Sequence, residues 1–271
     1  MQGDGERRNL QPKHAISTDY GRFYSSLPGF EDLTLASVTS IINVLSKDAL
    51  VNAAAKRVAE RAVNQEEIWH VLQQEESDEA AIKWVSSAAR NYMAYAQALG
   101  SAVHAWCETW PERPEVVPWI DKMVIWEADR DKCYKTIKDT TAQYGRFLED
   151  TGAELLETER TVFNDEMGYA GTLDLVAIID GKTYIIDIKT GFVSQESVPL
   201  QLAAYRHATY KVVGDASVPF DYPIDGGYVL QLKPRSYKLI PVECGVKEWS
   251  YFLNAKALWH WKNEHSKGAL G

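Results

Sequence analysis

The sequence lacks any hydrophobic run of the roughly 18 residues that a membrane-spanning helix needs. Near its first residue it also lacks the charged, apolar and small-residue regions that together mark a secretory signal. We therefore expect a cytoplasmic protein that has no membrane partner.

Cysteine is scarce as well, because the 271 residues include three, Cys107, Cys133 and Cys244. Three widely separated cysteines do not form a disulfide framework, and none of them has the close spacing of a zinc or iron–sulfur site. We expect reduced, structural thiols and no iron–sulfur cluster.

Basic residues are outnumbered by acidic residues, 29 to 38, which gives a formal net charge of −9. This balance argues against a protein that coats DNA with a uniformly basic surface. It does not exclude an enzyme that acts on nucleic acid, since a few phosphates need only a local basic groove. Carboxylates that bind a metal also add negative charge at the site itself.

The chain has no internal repeat, and its length fits one domain over residues 1–271. We predict mainly helical structure for residues 1–150, with helices at 40–46, capped by Ser37 or Thr39, at 48–64 and at 131–150. Apolar residues at helical spacing predict a further helix, which the prolines from Pro111 onward end. The stripe consists of Ile82, Val85, Ala89, Tyr92, Ala96, Leu99, Val103, Trp106 and Trp110.

Residues 151–271 change to the periodicity of strands. Three β-rich runs, at 154–163, 171–180 and 182–190, predict a meander whose last turn is the Asp180-Gly181 hairpin. A helix through 197–213, strands at 226–233 and 236–243, and a helix from Val246 complete the order β-β-β-α-β-β-α. We expect an α/β fold with a mixed sheet of about five strands flanked by helices.

Charged residues interrupt two of these apolar strands. Asp187 and Lys189 lie two residues apart, so their side chains project from the same face, and Asp174 interrupts the preceding strand. Neighbouring strands are roughly 5 Å apart, so two aspartates on adjacent strands can share one hard cation. The alternative is an Asp187–Lys189 ion pair beside an aspartate that merely ends a strand.

Four short motifs occur in order along the chain: GSAVH at 100–104, GTLD at 171–174, DIKT at 187–190 and QLAAY at 201–205. With them the sequence resembles the PD-(D/E)XK nuclease superfamily, in its RecB-like and bacteriophage exonuclease branch. The four-cysteine iron–sulfur signature of some RecB-like members is missing, which favours the cluster-free phage type. The resemblance implies a restriction-endonuclease-like core with a helical N-terminal elaboration.

The resemblance also implies a metal site. Asp174, Asp187 and the backbone carbonyl of Ile188 would hold Mg²⁺ or Mn²⁺, and Lys189 would orient the attacking water. His104 would be a further ligand, and its imidazole favours Mn²⁺. Glu108 follows His104 by one helical turn and is a further candidate ligand. The alternatives are a histidine packed in the core and a solvated helix glutamate.

Gln201 and Tyr205 stand four residues apart and share one helical face. The resemblance implies that they support the catalytic site or contact the DNA strand; ordinary polar residues at a packing interface are the alternative. Glu157 and Glu159 share one strand face, and a glutamate on the strand before the GTLD motif recurs in the family without an assigned role.

Together these features predict a metal-dependent deoxyribonuclease. The resemblance favours a phage-type exonuclease that acts on linear DNA ends in recombination, replication or DNA processing, in the bacterial cytoplasm if a phage encodes it. A recombination or replication protein is then a possible partner. An endonuclease of the same fold and a DNA-end-binding accessory protein without turnover are the alternatives.

Overall fold

The structure is a computed structural model that describes residues 12–45, 48–111 and 130–265. It divides into two compact units, one formed by Met1–Leu45 with Ala142–Gly271 and the other by Ser46–Thr141. We call them the sheet unit and the helical unit. Pro114 and Pro118, which were expected to end a helix, lie outside the described residues.

Seven α-helices occur in the described residues. They are α1 (Val38–Ile42), α2 (Asp48–Asn64), α3 (Glu66–Glu75), α4 (Asp78–Glu108), α5 (Arg130–Thr151), α6 (Val198–Arg206) and α7 (Val246–His260), which a π-helical turn at Trp261–His265 extends. The predicted helix at 48–64 is confirmed, and Ser37 caps α1 by accepting a hydrogen bond from the backbone of Ser40. None of the described helices is both long and apolar enough to cross a membrane.

The strands form one mixed sheet, as expected, but within the described ranges it contains ten strands. The expectation of about five was therefore wrong. The strands are β1 (Ala15–Thr18), β2 (Gly21–Leu27), β3 (Phe30–Ser37), β4 (Glu154–Asn164), β5 (Tyr169–Ile179), β6 (Lys182–Lys189), β7 (Tyr210–Val213), β8 (Ala216–Pro219), β9 (Ile224–Lys233) and β10 (Ser236–Val242).

The additional strands lie in two places. Strands β1 to β3 occupy a stretch that was expected to be mainly helical. Gly21, at the start of β2, and Gly29, in the turn before β3, have positive φ angles. Helix α6 ends at Arg206 rather than continuing to residue 213, because Tyr210 and Lys211 pair with β4. Pairing with a distant strand thus overrides the local helical pattern.

The predicted meander of β4, β5 and β6 is confirmed, with antiparallel pairing throughout. Asp180 and Gly181 form the turn with φ angles of 50° and 74°. Two successive positive φ angles give a turn whose twist matches that of the flanking strands. Strand β9 then adds to β6 in parallel, so β6 lies between β5 and β9.

Apolar residues cover both faces of the β9–β10 part of the sheet. Ile240 belongs to a core that includes Ile41 of α1, Ala203 of α6 and Phe252 of α7. Tyr237 lies three residues before Ile240 on β10 and so points to the opposite face. There the ring of Phe147 of α5 packs edge-on against the Tyr237 ring, with 5.9 Å between the ring centroids. The expected helices on both faces are therefore present here.

The helical unit is built around α4, which Ser77 caps by accepting a hydrogen bond from the backbone of Ala80. Arg61 of α2 donates to the carbonyl of Trp84 at 2.9 Å. The predicted apolar stripe is buried at Val103 and Trp106, whereas Ile82 is 67% exposed. The stripe therefore predicted the helix correctly but overstated how much of it is buried.

The hairpin at Gly181 gives a test of the meander. A Cβ at Gly181 or at Gly191 would meet no atom within 4 Å, but of these two only Gly181 has a left-handed backbone. We expect Gly181→Ala to lower the free energy of unfolding by about 1 kcal/mol. The matched Gly191→Ala should leave it unchanged or slightly higher. Equal losses in urea denaturation of the two variants would contradict the assigned turn.

Candidate metal centre

The site is built where the sheet forks beside β5. Strand β4 runs along one edge of β5, while the other edge pairs with β3 at Tyr169 and Ala170 and with β6 from Leu175 onward. Residues 171–174, the GTLD motif, lie between these two pairings. The motif therefore occupies the point where β3 and β6 diverge.

Three carboxylates lie at one level across β4, β5 and β6. The neighbours of Glu159 pair with the neighbours of Asp174, Thr158 with Leu175 and Arg160 with Leu173, so these two acids stand opposite each other. One carboxylate oxygen from each lies within 4.8 Å of the other. On the other edge of β5, Ile186 pairs with Leu175, which places Asp187 next to Asp174. We call Glu159, Asp174 and Asp187 the carboxylate row.

Asp174 is tied to β6 through its side chain. Its Oδ2 accepts a hydrogen bond from the backbone N–H of Ile188 at 2.6 Å. In an antiparallel ladder a residue exchanges its N–H and C=O bonds with the same partner, so both groups point to the same side of the strand. The carbonyl of Ile188 therefore faces the side on which Asp174 lies, as a ligand role requires.

Asp187 is almost completely buried, at 2% exposure, and polar groups surround it. Its Oδ1 accepts hydrogen bonds from Nζ of Lys189 at 2.8 Å and from Nε2 of Gln201 at 3.0 Å. The shared face predicted for Asp187 and Lys189 is thus confirmed. An ordinary ion pair would show the same contact, so what sets this site apart is the presence of further carboxylates beside it.

Lys189 is a cation that contacts the row through Asp187. Its side chain is 30% exposed. Burial by itself lowers the pKa of Lys189, but the carboxylates of Asp187 and Asp174 outweigh burial and raise the pKa above its ordinary value. Lys189 therefore stays protonated at neutral pH and can donate hydrogen bonds.

Tyr205 lies beneath the fork and explains the glycine of the GTLD motif. A Cβ on Gly171 would lie 2.5 Å from Cε1 of the Tyr205 ring. Burial, followed by the neighbouring Tyr24 and Asp174, raises the pKa of Tyr205 well above its ordinary value, and Gln201 is its hydrogen-bond partner. Tyr205 is therefore a neutral group that packs against the motif.

Tyr24 of β2 is a site residue that the sequence analysis missed. It is buried, and its hydroxyl lies 2.9 Å from Oγ1 of Thr172, within the GTLD motif. Burial raises its pKa above the ordinary value. The strand that carries Tyr24 was not predicted, so no local sequence pattern could have connected Tyr24 with residues 171–174.

Glu157 and Glu159 have different surroundings, although their spacing in the sequence predicts that they share one strand face. Glu159 belongs to the carboxylate row, whereas Glu157 is buried among Arg160, Lys211 and Tyr222. Burial by itself raises the pKa of Glu157, but hydrogen bonds from these three groups outweigh it and lower the pKa. We call Glu157, Arg160, Lys211 and Tyr222 the Glu157 cluster.

His104 and Glu108 belong to the helical unit, on the last turns of α4. His104 is half-buried, and Glu108 is exposed at the end of the helix. The assignment of His104 to a metal site rests on the Gly100-x-x-x-His104 motif of the sequence, and that of Glu108 on its spacing of one helical turn from His104.

The donor set of the row fits a hard divalent cation. Like charges directly opposite on adjacent strands are destabilising, and Lys189 offsets only part of three negative charges. Carboxylate and carbonyl oxygens are the ligands that Mg²⁺ and Mn²⁺ take in proteins. The row, together with the carbonyl side of Ile188, supplies such oxygens from adjacent strands.

No family model and no curated protein sequence matches the chain. Among solved structures, the chain is similar to the crystal structure of LHK-Exo in complex with dAMP, with 13% identity over 63% of this chain and 91% of that chain and a TM-score of 0.33. A likeness this low in both identity and TM-score carries no argument about function.

The contact between Gly171 and Tyr205 gives a test of the fork. Gly171→Ala should lower the free energy of unfolding by about 1 to 3 kcal/mol, because the new methyl group overlaps the Tyr205 ring. In the Tyr205→Leu background the same change should be tolerated better, since the ring is gone. If denaturation shows the same loss in both backgrounds, the ring does not set the need for glycine.

Proposed function

We propose that this chain is a divalent-metal-dependent DNA nuclease with a restriction-endonuclease-like core, of the RecB-like and phage exonuclease branch of the PD-(D/E)XK superfamily. The observation that carries the proposal is the carboxylate row with Lys189 hydrogen-bonded to Asp187 at 2.8 Å. The order of the GTLD, DIKT and QLAAY motifs around this geometry supports it.

Asp174, Asp187 and Glu159, with the carbonyl of Ile188, would hold Mg²⁺ or Mn²⁺ in this proposal. When bound, such a cation supplies Lewis-acid polarisation of a phosphoryl oxygen. His104 is proposed as a further ligand on the sequence motif alone, and Glu108 as a candidate on its spacing of one helical turn from His104. Because imidazole favours softer cations than Mg²⁺, His104 would shift preference toward Mn²⁺.

Lys189 would act on the phosphate and on water. Its ammonium is protonated and held by Asp187, and its side chain is partly exposed, so it can donate a hydrogen bond to an attacking water or to the phosphoryl oxygen where negative charge develops. Gln201 would keep Asp187 oriented through its bond to Oδ1. Tyr205 would fix the GTLD motif by packing against Gly171, and a contact of Gln201 or Tyr205 with DNA is a further part of the proposal.

The substrate is proposed to be linear DNA, degraded from its ends, in phage-type recombination, replication or DNA processing in the bacterial cytoplasm. Residues 1–271 would act together as one nuclease domain. This part rests on the resemblance of the four motifs. An endonuclease of the same fold, or a DNA-end-binding protein without turnover, would differ in what the chain does to circular and linear DNA.

Digestion of end-labelled linear DNA and closed circular DNA tests the activity. With Mg²⁺ or Mn²⁺ we expect the linear substrate to be degraded, the circular substrate to survive, and EDTA to abolish the reaction. Cleavage of the circle would indicate an endonuclease. Intact linear DNA in the presence of either metal would contradict catalysis and favour the binding protein.

Two variants separate catalysis from metal binding. Lys189→Ala should lose cleavage by at least 100-fold while the Mn²⁺ affinity changes little, because the ammonium is not a ligand. His104→Ala should instead weaken Mn²⁺ binding in calorimetric titration by about tenfold. Full activity of Lys189→Ala would refute its assigned role, and an unchanged titration of His104→Ala would make His104 structural.

A further inference from the structure

Strand β4 contains one residue whose backbone does not suit a strand. Glu159 has a φ angle of 43° in the middle of Glu154–Asn164. This is the left-handed region, which L residues other than Asn and Asp rarely adopt. Such conformations persist where the surrounding structure over-determines them, and they concentrate at functional sites.

Glu157 and Arg160 of the Glu157 cluster lie on either side of Glu159 in β4. Nε of Arg160 donates to Oε2 of Glu157, so this bond spans Glu159 along the chain. Arg160 also donates to the carbonyl of Val212 in β7 at 3.1 Å. Lys211 donates to Oε1 of Glu157, and so does the hydroxyl of Tyr222 at 2.8 Å.

The two glutamates of β4 interact with different neighbouring strands. In a regular strand Glu157 and Glu159 would point from the same face. Here Glu157 is held by Lys211 of β7, while Glu159 lies opposite Asp174 of β5. A carboxylate oxygen of Glu159 also lies within 4.8 Å of one of Asp174, which places Glu159 within the site.

We propose that the Glu157 cluster is a positioning device that holds the backbone of Glu159 in the left-handed conformation and so presents its carboxylate to the metal. Arg160 and Glu157 act through Glu159 and are not themselves ligands. This inference deepens the proposed metal site and rests on it. It assigns a role to a buried ion network that the four sequence motifs do not include.

A double-mutant cycle on Mn²⁺ affinity tests the proposal with the full chain, measured by isothermal titration calorimetry. Arg160→Gln should weaken Mn²⁺ binding by about tenfold, as supporting residues around metal ligands do. Glu159→Gln should weaken it at least as much. Arg160→Gln added to Glu159→Gln should cause no further loss, because the cluster then has no ligand to position.

Tyr237→Phe is the matched control, since it removes a side-chain hydrogen bond to Asp150 elsewhere in the sheet unit, and it should leave Mn²⁺ affinity unchanged. If Arg160→Gln fails to fold, Tyr222→Phe replaces it in the cycle, because it removes one bond to Glu157. An Arg160→Gln affinity equal to wild type, or a loss repeated in the Glu159→Gln background, would overturn the positioning role.

Asp174→Asn distinguishes failure of this inference from failure of the proposed function. If Asp174→Asn weakens Mn²⁺ binding while Glu159→Gln does not, the metal site stands and the positioning role is refuted. If neither change affects Mn²⁺ binding, the proposed metal site itself is refuted, and the positioning role with it.

Discussion

Electrostatic repulsion within the carboxylate row is the constraint on which the rest of the site depends. Glu159, Asp174 and Asp187 lie at one level on three adjacent strands, and Asp187 is almost completely buried. A sheet that places acids side by side loses stability unless hydrogen bonds and cations compensate. Lys189, Gln201 and the backbone N–H of Ile188 supply part of this compensation, and a divalent cation would supply the remainder.

The fork beside β5 makes room for this arrangement. Because β3 and β6 pair with different parts of one edge, residues 171–174 leave regular pairing there and Asp174 can reach the backbone of β6. Tyr205 packs against residue 171 and requires glycine there. On the far side of β4, the Glu157 cluster is anchored to β7, a strand that carries no residue of the carboxylate row.

Local sequence patterns predicted the parts of the fold that depend on interactions between residues close in the sequence. The meander, the Asp180-Gly181 turn and the helix at 48–64 follow from periodicity and turn chemistry. The shared face of Asp187 and Lys189 follows from strand parity. Strands β1 to β3, β7 and β8 were not predicted. Strands β1 to β3 form successive local hairpins in a stretch that was expected to be mainly helical. Strand β7 was missed because it pairs with β4, which is distant in the sequence. For the same reason the sequence could not separate Glu157 from Glu159, whose surroundings are set by Lys211 and Asp174.

The central claim is that one divalent cation neutralises the carboxylate row. Anomalous diffraction from crystals grown with Mn²⁺ tests it most directly, because Mn²⁺ scatters anomalously and the ligands are seen at the same time. The account predicts a peak within coordination distance of Asp174, Asp187 and Glu159. A well-ordered carboxylate row without an anomalous peak, or a Mn²⁺ peak only at other residues, would contradict it.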